Sequence, residues 1–180
     1  MKTSFTIVLL SFITLCSFSQ NDFTKTSGVF YKISLATTLT INEDYNMGYD
    51  DEEPFLRPSA LFVNNTFGYQ FDERSLIGLN FEYDYHSEQG LHFAPAFLSF
   101  QYNIFADDDI FLRGGYGTLL SLGKSFEKGN MFRLGIGAQT DVSNNNNSVL
   151  IGLDFTRKRF GYKNLEGISS VSIFLEFMFF

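Results

Sequence analysis

Tryptophan is absent from this chain, histidine occurs twice, proline three times and cysteine once, at Cys16. Because Cys16 lies in an N-terminal segment that reads as removable, the rest of the chain has no disulfide or thiol chemistry open to it. Long hydrophobic runs are missing too: past the N-terminus nothing approaches the ~18 apolar residues that a membrane helix needs. Positive charge is in the minority, 13 Lys and Arg against 20 Asp and Glu for a net charge of −7, which argues against a nucleic-acid partner. No glycine loop of the phosphate-binding kind is present. What the chain does have is aromatic residues, 18% of 180, and 15 glycines. That composition favours one all-β domain. A mean hydropathy of −0.01 would pass for a soluble protein, but a wall whose residues alternate between two environments averages to such a value in a membrane as well.

The first residues have their own logic. Lys2 supplies a positive start, Ile7 to Phe18 an apolar core, and Ser17-Phe18-Ser19 puts small residues where a cleavage site wants them. Residues 1–19 are therefore expected to be a secretory signal peptide, leaving 20–180 as the mature domain. The run is too short for a membrane anchor. Cys16 follows Leu15, where a lipoprotein signal would place a small residue.

Past Gln20 an apolar–polar alternation with a period of two recurs eight times, the mark of strands whose faces meet different environments. Strand one spans about 28–41, with Val29, Tyr31, Ile33, Leu35, Leu39 and Ile41 on one face. Strand two, about 59–71, and strand three, about 76–86, flank a reverse turn at Asp72-Glu73-Arg74-Ser75. Strand four covers about 93–105, strand five 110–120, strand six 131–142, strand seven 149–156 and strand eight 170–180. The links alternate: about 42–58, 87–92, 121–130 and 157–167 are the longer set, and 72–75, 106–109 and 143–148 the shorter. Eight strands joined in this way give an antiparallel up-and-down β-barrel with both termini at the short-turn end.

Which face is oily decides the setting. The apolar columns hold roughly forty positions; at 18% charged residues overall, chance would place about seven charges there, and there are none. The opposite columns carry Lys32, Glu82, Asp84, Arg113, Arg133, Asp154 and Glu176 among Gly, Ser, Thr, Asn and Gln. A charge facing lipid at mid-membrane costs ~2–4 kcal/mol, whereas a narrow lumen can pair cations with anions. The apolar face is thus expected to look outward to lipid and the seven charges to form a lumen ionic network. A soluble ligand-binding barrel of lipocalin type needs the reverse. Tyr31, Tyr69, Phe71, Phe100, Tyr102, Phe177 and Phe179 fall near the terminal end and Tyr83, Tyr85 and Tyr116 near the other, as two interfacial girdles. The glycines of strands five and six make room for Arg113, Arg133 and aromatic rings.

In this pattern and in its aromatic ending, SVSIFLEFMFF at 170–180, the chain resembles the small outer-membrane β-barrels, the OmpX-like proteins and the barrel part of OmpA-like proteins, over about 28–180. The resemblance implies a non-enzymatic integral protein of the Gram-negative outer membrane, contributing to envelope structure or to surface interaction through its loops. Its partners would be outer-membrane lipid, lipopolysaccharide and the outer-membrane assembly machinery, which would read Phe177, Phe179 and Phe180 as an assembly signal. The expected match is to such a barrel without a periplasmic domain, and the resemblance implies no cofactor.

Other chemistries have weaker footholds. Tyr85-His86-Ser87-Glu88 suggests a lipid hydrolase, but adjacent strand residues point to opposite faces, so His86 and Ser87 pair only in a distorted loop. The segment also lacks the His-spacer-Ser-Asn order of lipid A deacylases. Glu43, Asp44, Asp50, Asp51, Glu52 and Glu53 offer oxygen ligands for calcium without EF-hand order. Arg157-Lys158-Arg159 and Lys163, read as part of the last loop, offer cations to lipopolysaccharide phosphates.

Overall fold

The computed structural model describes residues 27–41, 56–87, 90–104, 110–123, 125–142, 147–162 and 165–180. The expected signal peptide and the acidic cluster between Glu43 and Glu53 lie outside them. The chain forms a closed eight-stranded antiparallel barrel in up-and-down order. The strands are β1 (Gly28–Ile41), β2 (Leu56–Gln70), β3 (Ser75–His86), β4 (Leu91–Phe93 and Pro95–Asn103), β5 (Ile110–Leu119), β6 (Gly129–Val142), β7 (Asn147–Tyr162) and β8 (Leu165–Phe179). Each pairs with the next, and β1 closes the wall on β8 from Tyr31↔Phe179 to Thr40↔Ser170. Among the described residues there is no helix long and apolar enough to cross a membrane.

β4 is one strand with an interruption. The register before and after it is continuous, Asp84↔Phe93 and then Phe81↔Ala96, and the gap at Ala94 precedes Pro95, which has no N–H for the ladder. Pro58 has a comparable effect in β2. The strand does not begin at 59, where a proline reads as a stop; it runs back to Leu56 across a register shift between Thr38↔Ala60 and Leu39↔Pro58.

The largest departure from the sequence expectation concerns the last link. β7 does not end at 156 but continues to Tyr162, and β8 starts at Leu165, so the expected loop over 157–167 is mostly wall. Arg157, Lys158 and Arg159 pair with Ser169, Ile168 and Gly167. A charge run looks like a solvated loop only when its two faces are not separated. Here Lys158 is buried and Arg159 exposed, and the alternation carries straight through. At the end away from the termini, the links 42–55 and 120–128 are long, whereas 87–90 and 163–164 are as short as the turns at the terminal end. The length alternation therefore holds for only part of the barrel. Gly90, just before β4, has φ +61°, a left-handed conformation that glycine adopts without strain.

The two faces are sharply divided. Among the described residues thirty large apolar side chains are exposed; Phe71, Leu120 and Leu122 lie just beyond strand ends, and the other twenty-seven all occupy the outward alternate of their strands. The inner alternates hold the buried polar residues between two apolar layers. Phe30, Leu76, Phe111, Leu150, Met178 and Phe180 fill the terminal end of the interior. Leu91, Phe93, Leu119, Met131, Phe160 and Ile168 fill the other end.

Candidate functional site

The seven charges expected inside do lie inside, and the structure adds an eighth, Lys158. Lys32, Arg113, Arg133 and Lys158 thus face Glu82, Asp84, Asp154 and Glu176, four cations against four anions. Their positions follow from strand parity, since each occupies the inward alternate of β1, β3, β5, β6, β7 or β8. Seven of the eight are at most 5% exposed, so nearly all of the compensation must come from within the group.

The pairs form a chain along the interior. Lys32 Nζ sits 3.0 Å from Glu176 Oε1 across the β1–β8 seam and donates to Gln101 Oε1 at 2.7 Å. Arg113 donates to Glu176 at 3.3 Å and grips Asp154 with a fork, Nε to Oδ1 at 2.8 Å and Nη2 to Oδ2 at 2.5 Å. Its guanidinium lies 3.6 Å above the Phe174 ring. Arg133 makes a second fork across the lumen to Glu82, at 2.7 and 2.8 Å. Such two-point pairs combine charge with fixed geometry. Lys158 donates to Asp84 and lies 3.4 Å from His86 Nε2, above the Phe93 ring.

Arg133 and Asp154 lie beside each other on adjacent strands within ion-pair distance, although the ladder sets Arg133 opposite Thr156 and Gly135 opposite Asp154. Arg133 Nε donates to Thr156 Oγ1 at 3.1 Å and is 3.7 Å from Asp154. The carboxylates that hold each arginine by two points come from strands that are not its ladder neighbours, β3 for Arg133 and β7 for Arg113. Such cross-lumen partners depend on side-chain reach, which strand order does not reveal.

Glycine makes the space for this. A Cβ at Gly135 would overlap the Asp154 carboxylate and press on the Arg113 stem, and one at Gly137 would overlap the Phe111 ring. Beside the ions a neutral set completes the packing: Asn80 accepts from Thr66 Oγ1 at 2.6 Å and donates to Ser99 Oγ at 2.7 Å. A residual cavity of about 20 Å³ touches Asn64, Asn80, Ser99, Gln101, Arg113 and Glu176. That is room for about one water.

The hydrolase candidates fall in different places. His86 is fully buried inside the barrel against Phe93, at 5.2 Å between rings, while Tyr85 faces outward and Ser87 is exposed in the turn. Glu88 lies outside the described residues. No cluster of three metal-ligating side chains occurs among the described residues.

On the outer wall the aromatic residues form two groups. Near the termini Tyr31 packs on Phe67 at 4.9 Å and on Phe179 at 6.4 Å, and Tyr69 on Phe71 at 5.4 Å. Near the other end His92 accepts or donates at 2.8 Å with Tyr83 Oη and packs against Tyr85 and Phe126. His92 and Phe126 were missed in the sequence because each stands alone in a link-like stretch. Phe177 and Phe179 face outward, and Phe180 turns inward onto Phe30 at 6.2 Å.

The closed eight-stranded wall is shared with solved structures. The barrel aligns with Neisserial surface protein A (NspA) at a TM-score of 0.60 and 8% identity, covering 86% of this chain and 99% of that one. The fold is that of the small outer-membrane barrels. The N-terminal β-barrel domain of Pseudomonas aeruginosa OprF aligns at a TM-score of 0.50 and 13% identity, over 83% of this chain and 97% of that one. No protein-family model matches the sequence, and comparison with curated proteins finds no match. At these identities the likeness concerns the fold.

Proposed function

We propose that this chain is an integral outer-membrane protein without catalytic activity, exported by residues 1–19 and serving envelope structure or surface interaction through its loops. The observation that carries this is the reversed polarity of the barrel: among the described residues, the twenty-seven exposed apolar side chains within its strands all face outward, and eight charges lie inside. Water would penalise that exterior over the whole circumference, whereas hydrocarbon welcomes it. Apolar side chains at both ends of the interior, among the described residues, support the absence of transport. In this proposal the termini face the periplasm, and Phe177, Phe179 and Phe180 are read by the assembly machinery.

The test is expression in a Gram-negative host followed by membrane fractionation, with unheated and boiled samples compared on a gel. The protein should be found in the outer membrane, begin at Gln20, and migrate differently before and after boiling. Protein soluble without detergent would instead indicate a secreted binding barrel. A mass shift of host lipid A that disappears with His86→Ala would indicate a hydrolase.

A further inference from the structure

Among the side chains described within the eight strands, the charged ones that face outward are two, Arg157 and Arg159, both on β7. They follow directly on the apolar series Ile151, Leu153, Phe155 of the same face. Phe132 lies opposite Arg157 in the ladder and Asn130 opposite Arg159. The Phe132 and Phe155 rings pack at 6.0 Å just below the pair. Arg157 is already oriented, its Nη1 donating to Ser169 Oγ on β8 at 2.7 Å. A chain of net charge −7 thus presents two adjacent guanidiniums on its lipid-facing wall; the exposed carboxylate of the described strand residues, Glu166 on β8, stands on the inward alternate at the rim, next to Gly167 opposite Arg159.

A cation is tolerated on the lipid face of a barrel only near an interface. These two sit at the end away from the termini, one and two outward steps beyond the last apolar residue of β7. If the barrel lies in the outer membrane as proposed above, that height is the headgroup layer of the outer leaflet. Guanidinium presents a planar fork that matches phosphate oxygens, which an ammonium does not. We propose that Arg157 and Arg159 form a lipid-binding site for the phosphate of a lipid A-type glycolipid of the outer leaflet, with Phe132 and Phe155 lying along its first acyl segments. Lys158, between them in sequence, takes no part, because it is held inside by Asp84.

The full-length protein, extracted in detergent from the membranes of expressing cells, is titrated by native mass spectrometry with three probes: bisphosphorylated lipid A, phosphate-free lipid A and phosphatidylglycerol. Wild type should bind phosphorylated lipid A at least tenfold more tightly than either alternative. The double variant R157Q/R159Q should lose that preference while keeping its unheated gel mobility. Should that variant fail to fold, R157K/R159K carries the test: it keeps the charge, loses the fork and should lower the preference several-fold. An unchanged preference in a folded R157Q/R159Q protein would overturn the site. Equal binding of phosphatidylglycerol and lipid A by wild type would overturn the assignment to a glycolipid. Wild-type protein with no heat-dependent mobility would sink the outer-membrane proposal and the site with it, whereas a folded barrel with no phosphate preference sinks the site alone.

Discussion

Replacing Lys158 by methionine removes a charge and little volume, and it separates a loop position from a lumen position. Lys158 is 3% exposed and Asp84, its partner, 0%. With Lys158 gone, Asp84 is left without its partner between Phe93 and the polar wall, and the other lumen cations are already paired with Glu82, Asp154 and Glu176. Breaking a buried pair from one side costs ~3–5 kcal/mol. The double change Lys158→Met with Asp84→Asn leaves no orphaned ion and should cost ~1–2 kcal/mol, giving a coupling of at least ~1 kcal/mol in a double-mutant cycle. Arg159→Met, one residue on and facing outward, should stay within ~0.5 kcal/mol. The assay is equilibrium urea unfolding in detergent micelles, followed by unheated gel mobility and circular dichroism. A Lys158→Met protein as stable as wild type, or two single costs that simply add, would refute the buried pair.

Other perturbations have equally definite outcomes. Leu79→Arg puts a charge on the outward face of β3 near mid-strand and should cost ~2–4 kcal/mol or block insertion, read as folding yield into vesicles. Gly135→Ala should cost ~1–3 kcal/mol by urea unfolding because its Cβ meets Asp154, whereas Gly161→Ala, with open space around it, should be near neutral. Reconstituted protein should show no large, stable conductance in planar bilayers, since both ends of the lumen are filled. In the β2–β3 turn, Asp72 accepts the N–H groups of Arg74 and Ser75, which holds its carboxyl below the usual value of 3.8. Its contribution is present above that value and fades as pH falls through the lowered one, so the stability gap between wild type and Asp72→Ala should close on acidification.

The architecture was legible because a barrel wall writes its two environments into the chain at a period of two. Tyr31 to Leu39, Ile77 to His86 and Val171 to Phe179 each read without ambiguity, and parity alone assigned seven of the eight lumen charges. The reading failed where chemistry masked parity. Arg157-Lys158-Arg159 looked like one basic loop, yet alternation splits it into two outward arginines and one inward lysine. Had the period been followed past Thr156, Lys158 would have balanced the count of lumen charges. The second strand was expected from about 59, but a bulge carries it back past Pro58 to Leu56. The forks from Arg113 to Asp154 and from Arg133 to Glu82 were out of reach for a different reason: they join strands that do not pair, and only the closed wall brings them together.

The central claim is that the exposed apolar face meets lipid. It can be measured directly, since Cys16 is the only native cysteine. In a Cys16→Ser background, single cysteines at Leu79, Leu98, Leu134, Leu153 and Leu175 would carry a nitroxide label in reconstituted bilayers. Electron paramagnetic resonance then compares collision with oxygen, which concentrates in hydrocarbon, and with a water-soluble nickel chelate. High oxygen and low nickel accessibility at all five positions is the predicted result; high nickel accessibility at these positions around the barrel would mean that water, not lipid, bathes the outer wall.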